Sequence, residues 1–150
     1  MKKNTFIMAV EKEFSSLVSE YGFSPLQETY SPEIMGNSSI TYLSDKTILI
    51  IVLDRGQVLM KIGESTKPRK DWFELTDVVR FFAADETMDV YQLSTKNPYD
   101  TIPIEEQVSR LAMLTRNYCV PFLKGDFSMK KKIKDLEKRR SDKLLNKTKK

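Results

Sequence analysis

Histidine is absent from this 150-residue chain, cysteine and tryptophan occur once each, and only five glycines are present. Each scarcity removes a kind of chemistry. Without imidazole the chain lacks the usual proton-transfer group near neutral pH. A lone Cys119 without histidine supplies no thiol and imidazole set for zinc and no intramolecular disulfide. The glycines, at 22, 36, 56, 63 and 125, stand scattered at the expected ends of elements and form no phosphate-cradling loop. Long apolar runs are missing too: the longest, Ile48 to Leu53, has six residues, against roughly 20 needed to cross a bilayer as a helix. Near the start, Glu11, Lys12 and Glu13 interrupt any leader-like apolar stretch. The expectation is a cytoplasmic protein, with no membrane contact and no cofactor.

What is present is ordinary globular material, 40% hydrophobic and 10% aromatic, at a length that suits one domain with an appendage. The net charge of +4 conceals a division. Residues 129–150 carry 11 of the 25 basic residues and only three acids, a net of +8, so the body is net −4. Any reading of the chain as basic concerns its last 22 residues.

Phe6, Val10, Phe14, Leu17, Val18 and Tyr21 recur at helical spacing and predict a helix over about residues 3–21, closed by Gly22. Pro25, Pro32 and Gly36 then allow at most a short edge strand near Leu26 to Tyr30. Strands are expected at 39–43, 47–53 and 57–62, joined by Ser44-Asp45-Lys46 and Asp54-Arg55-Gly56, an antiparallel meander. The unbroken run Ile48 to Leu53 implies a central strand covered on both faces. Residues 63–70 read as a loop before Trp72. Thr76 or Asp77 is expected to cap a short helix ending near Ala84, and Val90 to Leu93 is expected to form a brief strand. A helix starting at Pro103 is expected to kink or end at Pro121, and Gly125 breaks it. Ser128 is the expected cap of a basic tail helix with a thin apolar line through Met129, Ile133, Leu136 and Leu144. The fold class is α+β: an antiparallel meander sheet of three to five strands, helices packed mainly on one face, plus a basic C-terminal helix. The domain is expected at 1–127 and the tail at 128–150.

Asp85, Glu86 and Asp89 lie close enough in sequence to share an ion but lack the spacing and glycine turn of hard-cation loops, so a solvated helix end is the simpler reading. Cys119 lies on an apolar helical stripe and reads as a small core residue. Catalysis is therefore the least supported class. Protein binding draws on Trp72, Tyr91 and Tyr99, aromatic residues in or beside loops with acidic neighbours. With Asp85, Glu86, Asp89 and Asp100 they are candidate anchors for a basic protein partner. The plainer reading of Trp72 is that it plugs one end of the core. The alternative partner is nucleic acid, through Lys130, Lys131, Lys132, Lys134, Lys138, Arg139, Arg140 and Lys143. The tail holds no stacking aromatics, so contact there would be with backbone phosphates and not with bases.

The stretches "FSSLVSEYGF", "SITYLSDKTILIIVLDRGQVLMKIG" and "LAMLTRNYCVPFLKGDF" resemble small bacterial proteins that stand beside polymorphic toxins as their immunity proteins. The resemblance covers the body, Met1 to Phe127. It implies a non-catalytic protein that occludes a toxin through a charged surface. It transfers no functional residue, because that group shares no binding motif.

Overall fold

The computed structural model describes residues 5–31, 37–82 and 102–148, without the side chains of 140, 141 and 143–148. Helix α1 (Thr5–Tyr21) forms where the apolar stripe predicts it and turns Phe6, Val10, Phe14 and Leu17 inward. Burying each such side chain contributes roughly 1.5–3 kcal/mol before chain entropy is subtracted. Gly22, at φ +71°, ends the helix in the left-handed region.

Five strands follow in simple meander order: β1 (Ser24–Ser31), β2 (Asn37–Leu43), β3 (Thr47–Asp54), β4 (Gln57–Glu64) and β5 (Phe73–Glu74). All neighbours are antiparallel. Arg55 (φ 53°) and Gly56 (φ 84°) make the two-residue turn between β3 and β4, both in the left-handed region that matches the twist of a hairpin. Strand β1 is longer than the short edge strand expected. It tolerates Pro25 because it lies at the sheet edge, with an irregularity between Pro25 and Gln27. Strand β5 was not anticipated; two residues are too few to show a period.

Register decides what each face holds. Ile40, Ile51 and Met60 stand side by side across β2, β3 and β4, as do Tyr42, Leu49 and Ile62. These residues share one hydrophobic core with α1, α2 (Leu75–Phe82) and α3 (Ile104–Tyr118). The helices therefore cover one face of the sheet. Of the two faces of β3 that were expected to be covered, the described α-helices lie over the one carrying Leu49, Ile51 and Leu53. On the other face Ile50 is buried, 7% exposed, between the half-buried Ile48 and Val52.

Helix α2 starts at Leu75, so Thr76 and Asp77 lie in its first turn instead of capping it; Asp77 is buried beside Val78 and Val79. The expected end near Ala84 and the strand at Val90 to Leu93 fall outside the described residues. The chain breaks at Cys119 and resumes as α4 (Val120–Leu123), with Pro121 in its first turn, the one place where a missing amide proton is harmless. Thr47 Oγ1 donates to the Phe122 carbonyl at 2.6 Å and ties β3 to α4. Phe122 stacks on Phe73 and Phe127, with ring centroids 5.7 and 5.1 Å away.

Helix α5 (Lys130–Thr148) follows. The Asp126 carboxylate accepts the Ser128 amide proton at 3.0 Å, which holds its carboxyl below the usual range. Ile133 enters the core at 1% exposure, with Met129 packed against it. The base of the tail thus docks on the body along its thin apolar line.

Candidate protein-docking face

The side of the sheet over which no described α-helix lies is built from the residues that alternate with the core positions. Thr41, Ile50 and Lys61 are register partners there, as are Ser39, Val52 and Leu59. Ser39, Ile50, Val52, Leu59 and Lys61 line a depression of about 370 Å³ whose lining also includes Thr29, Asn37, Asp54 and Arg69. Its centre is aliphatic, one flank carries hydroxyls and the rim carries charge. Among the described residues Lys61, half-buried in this floor, makes no ion pair.

Gly63 and Trp72 shape one corner. Gly63 pairs with Ile48 and alternates with the core residue Ile62, so any side chain at 63 would project onto this same face. A Cβ there would overlap the Trp72 ring; the indole occupies that space. Trp72 Nε1 donates to the Lys67 carbonyl at 3.2 Å, and the Arg69 guanidinium lies 5.9 Å from the ring centroid. Gly63 was expected to open a loop; it lies inside β4, and its missing side chain admits the tryptophan. Trp72 does not plug the core. It is half-buried beside Arg69, which lines the depression.

At the opposite end of the strands, Asp54 Oδ1 accepts from Asn37 Nδ2 at 3.2 Å, and Asn37 Oδ1 accepts the Arg55 amide proton at 3.0 Å. From the helical side, buried Gln107 secures the same hairpin. Its Oε1 accepts the Val58 amide proton at 2.9 Å, while Nε2 donates to the carbonyls of Gly56 (3.0 Å) and Ile102 (2.9 Å). Neither Asn37 nor Gln107 was singled out in the sequence. A lone amide on a helix looks like surface until a β-turn is found across from it.

Of the anticipated anchors, Asp85, Glu86, Asp89, Tyr91, Tyr99 and Asp100 lie outside the described residues, leaving Trp72. The tail cations separate into two groups. Lys130 Nζ pairs with Glu64 at 3.2 Å, and Lys134 Nζ lies 4.8 Å from the Phe73 ring centroid, so both are engaged with the body. Lys131, Lys132, Lys138 and Arg139 are exposed, and the side chains of Arg140 and Lys143 are not described. On the docked side, burial, then Asp77 and Glu74, raise the Glu137 carboxyl against the opposing pull of Lys134.

Cys119 is fully enclosed, and burial pushes its thiol up to about 12, which leaves it protonated and a poor nucleophile at neutral pH. Among the described residues no group of three His, Cys, Asp or Glu side chains is arranged to hold a metal ion, and no helix is long and apolar enough to cross a membrane. No family model, curated protein or solved structure matches this chain.

Proposed function

We propose that this is a non-catalytic protein-binding module of the immunity type, and that it docks its partner on the sheet face opposite the described helices. The observation that carries this reading is the composition of that face. An aliphatic floor of Ile50, Val52 and Leu59 is bounded by Asp54 and by Arg69, whose guanidinium lies 5.9 Å from the Trp72 ring centroid. An apolar centre within a polar, charged rim is the usual anatomy of a protein interface, and tryptophan and arginine are its commonest energetic anchors. The resemblance in element order to toxin-immunity proteins points the same way.

Site-specific cross-linking tests it. A photoreactive residue at Val52 or Leu59 should capture protein in native cytoplasm, while the same probe at Met113, which is 49% exposed on α3, should not. Equal capture from both positions, or none from either, removes the reading.

A second reading follows from the exposed Lys131, Lys132, Lys138 and Arg139: contact with nucleic-acid phosphates through α5. Binding that neutralised about six phosphates would weaken roughly a thousandfold or more between about 50 and about 200 mM salt. The informative truncation ends after Arg139, because a cut after Gly125 would remove Ile133 from the core. Equal, negligible binding by both proteins would dispose of this alternative.

A further inference from the structure

We infer that β1 is a docking edge, to which an extended, basic segment of a partner protein adds as a further antiparallel or parallel strand. This surface is separate from the sheet face proposed above and stands on other observations. The first is a contrast between the two edges of the sheet. On the outer side of β4, β5 takes up Lys61 and Ile62, and the Gln107 side chain accepts the Val58 amide proton. No such closure protects β1 among the described residues. The strand pairs only with β2, and the one further hydrogen bond its residues make joins Thr29 Oγ1 and Ser39 Oγ at 2.6 Å. Residues 24–30 are all exposed in the full chain.

Proteins ordinarily blunt a free strand edge with proline, irregular pairing or charge. Here Pro25 and the irregularity before Gln27 blunt only the first part. Gln27 to Ser31 then pair residue for residue with Thr41 to Asn37. In such a regular stretch alternate residues turn both N–H and C=O away from the partner, which leaves about four to six main-chain groups pointing outward. That is the template on which a bound segment extends a sheet.

Side chains select the segment. Glu28 and Tyr30 are register partners of Ile40 and Ser38, so they stand on the helix side of the sheet. Tyr30 is 57% exposed, as is Leu26, beside the irregularity, at 58%. Among the described residues Glu28 makes no ion pair. Burial first, then Glu11 of α1 and Glu28, push the Tyr42 hydroxyl up to about 12, so both carboxylates lie near it on this side of the edge. The complement is a strand with lysine or arginine opposite Glu28 and an apolar residue opposite Tyr30, two positions away. A second copy of the chain fits less well. Two-fold pairing centred on Glu28 opposes like charges, and pairing centred on Thr29 leaves the two Glu28 carboxylates as diagonal neighbours.

Nuclear magnetic resonance of the full chain, titrated to about 5 mM with a capped peptide, tests this. The seven-residue peptide alternates threonine and valine, with lysine in place of the central valine. Shifts should fall on β1 and its β2 partners, and alternate amides within Gln27 to Ser31 should gain protection from hydrogen exchange. A peptide with glutamate at the centre should bind about threefold or more weakly, and Glu28→Lys, at an exposed position, should reverse that order. Each alternate set of amides in the lysine peptide is then N-methylated in turn, and methylation of the set that faces β1 should abolish binding. No shift with the lysine peptide overturns the inference, as does equal binding of the lysine and glutamate peptides or binding that survives both methylations. Shifts confined to Ile50, Val52 and Leu59 also overturn it, and leave the sheet-face reading standing.

Discussion

Replacing Gln107 tests the most specific polar arrangement in the molecule. The amide uses its acceptor and both donor protons in three hydrogen bonds of 2.9–3.0 Å, two to the β3–β4 hairpin and one to the chain just ahead of α3. Gln107→Leu keeps the volume and removes all three. The Val58 amide belongs to a residue 1% exposed and has no water to turn to, so its loss costs about 1–3 kcal/mol. The Gly56 and Ile102 carbonyls belong to less buried residues and lose about 0.5–1 kcal/mol each. Leucine returns about 1 kcal/mol by burying apolar surface. The balance is a destabilisation of about 1–4 kcal/mol, a fall of roughly 3–15 °C in Tm for a chain of this size. Urea unfolding followed by circular dichroism should show a lower midpoint at unchanged slope. Gln107→Glu adds a check on mechanism. Its neutral acid can donate to one of the carbonyls, whereas its carboxylate faces both of them without a proton. Burial raises the folded pKa above the unfolded one, so stability should be highest below about pH 4 and fall as pH rises through the folded value. A Gln107→Leu protein within about 0.5 kcal/mol of wild type, or a Gln107→Glu difference flat with pH, would refute the argument.

Gly63→Ala should displace the Trp72 indole, cost about 1–3 kcal/mol and shift tryptophan fluorescence to the red; in a Trp72→Ala background the same change should be nearly neutral. Glu137→Gln should stabilise the protein at pH 7, because the folded carboxyl is raised and its ionised form is disfavoured beside Asp77 and Glu74. The gain, a few tenths of a kcal/mol after solvent screening, should fade as pH falls below about 4, where both folded and unfolded carboxyls are protonated. It is read from paired thermal melts at the two pH values. Cys119 should react with iodoacetamide at neutral pH only as fast as the chain unfolds, so its alkylation rate should follow the global unfolding equilibrium across a urea series.

The sequence by itself determined the elements whose signals are local. Apolar stripes at helical spacing placed α1 and α3. Arg55-Gly56 marked the β3–β4 turn because only a left-handed pair suits so short a hairpin. Pro121 located the break after α3, and the thin apolar line through Met129, Ile133, Leu136 and Leu144 offered an edge for the tail to dock by, of which the structure takes Ile133 into the core. Local chemistry sufficed in each case because backbone sterics and periodicity act within a few residues.

Tertiary structure alone decided which face of the sheet the described helices cover. The run Ile48 to Leu53 is apolar on both sides, and composition cannot distinguish a second helical layer from shielding by neighbouring strands. Only register shows Ile51 under the helices and Ile50 beside Thr41 and Lys61. The Gly63 and Trp72 corner and the Gln107 clamp belong to the same class. They depend on residues nine or more positions apart meeting across strands, and contacts of that range follow from the packing of whole elements.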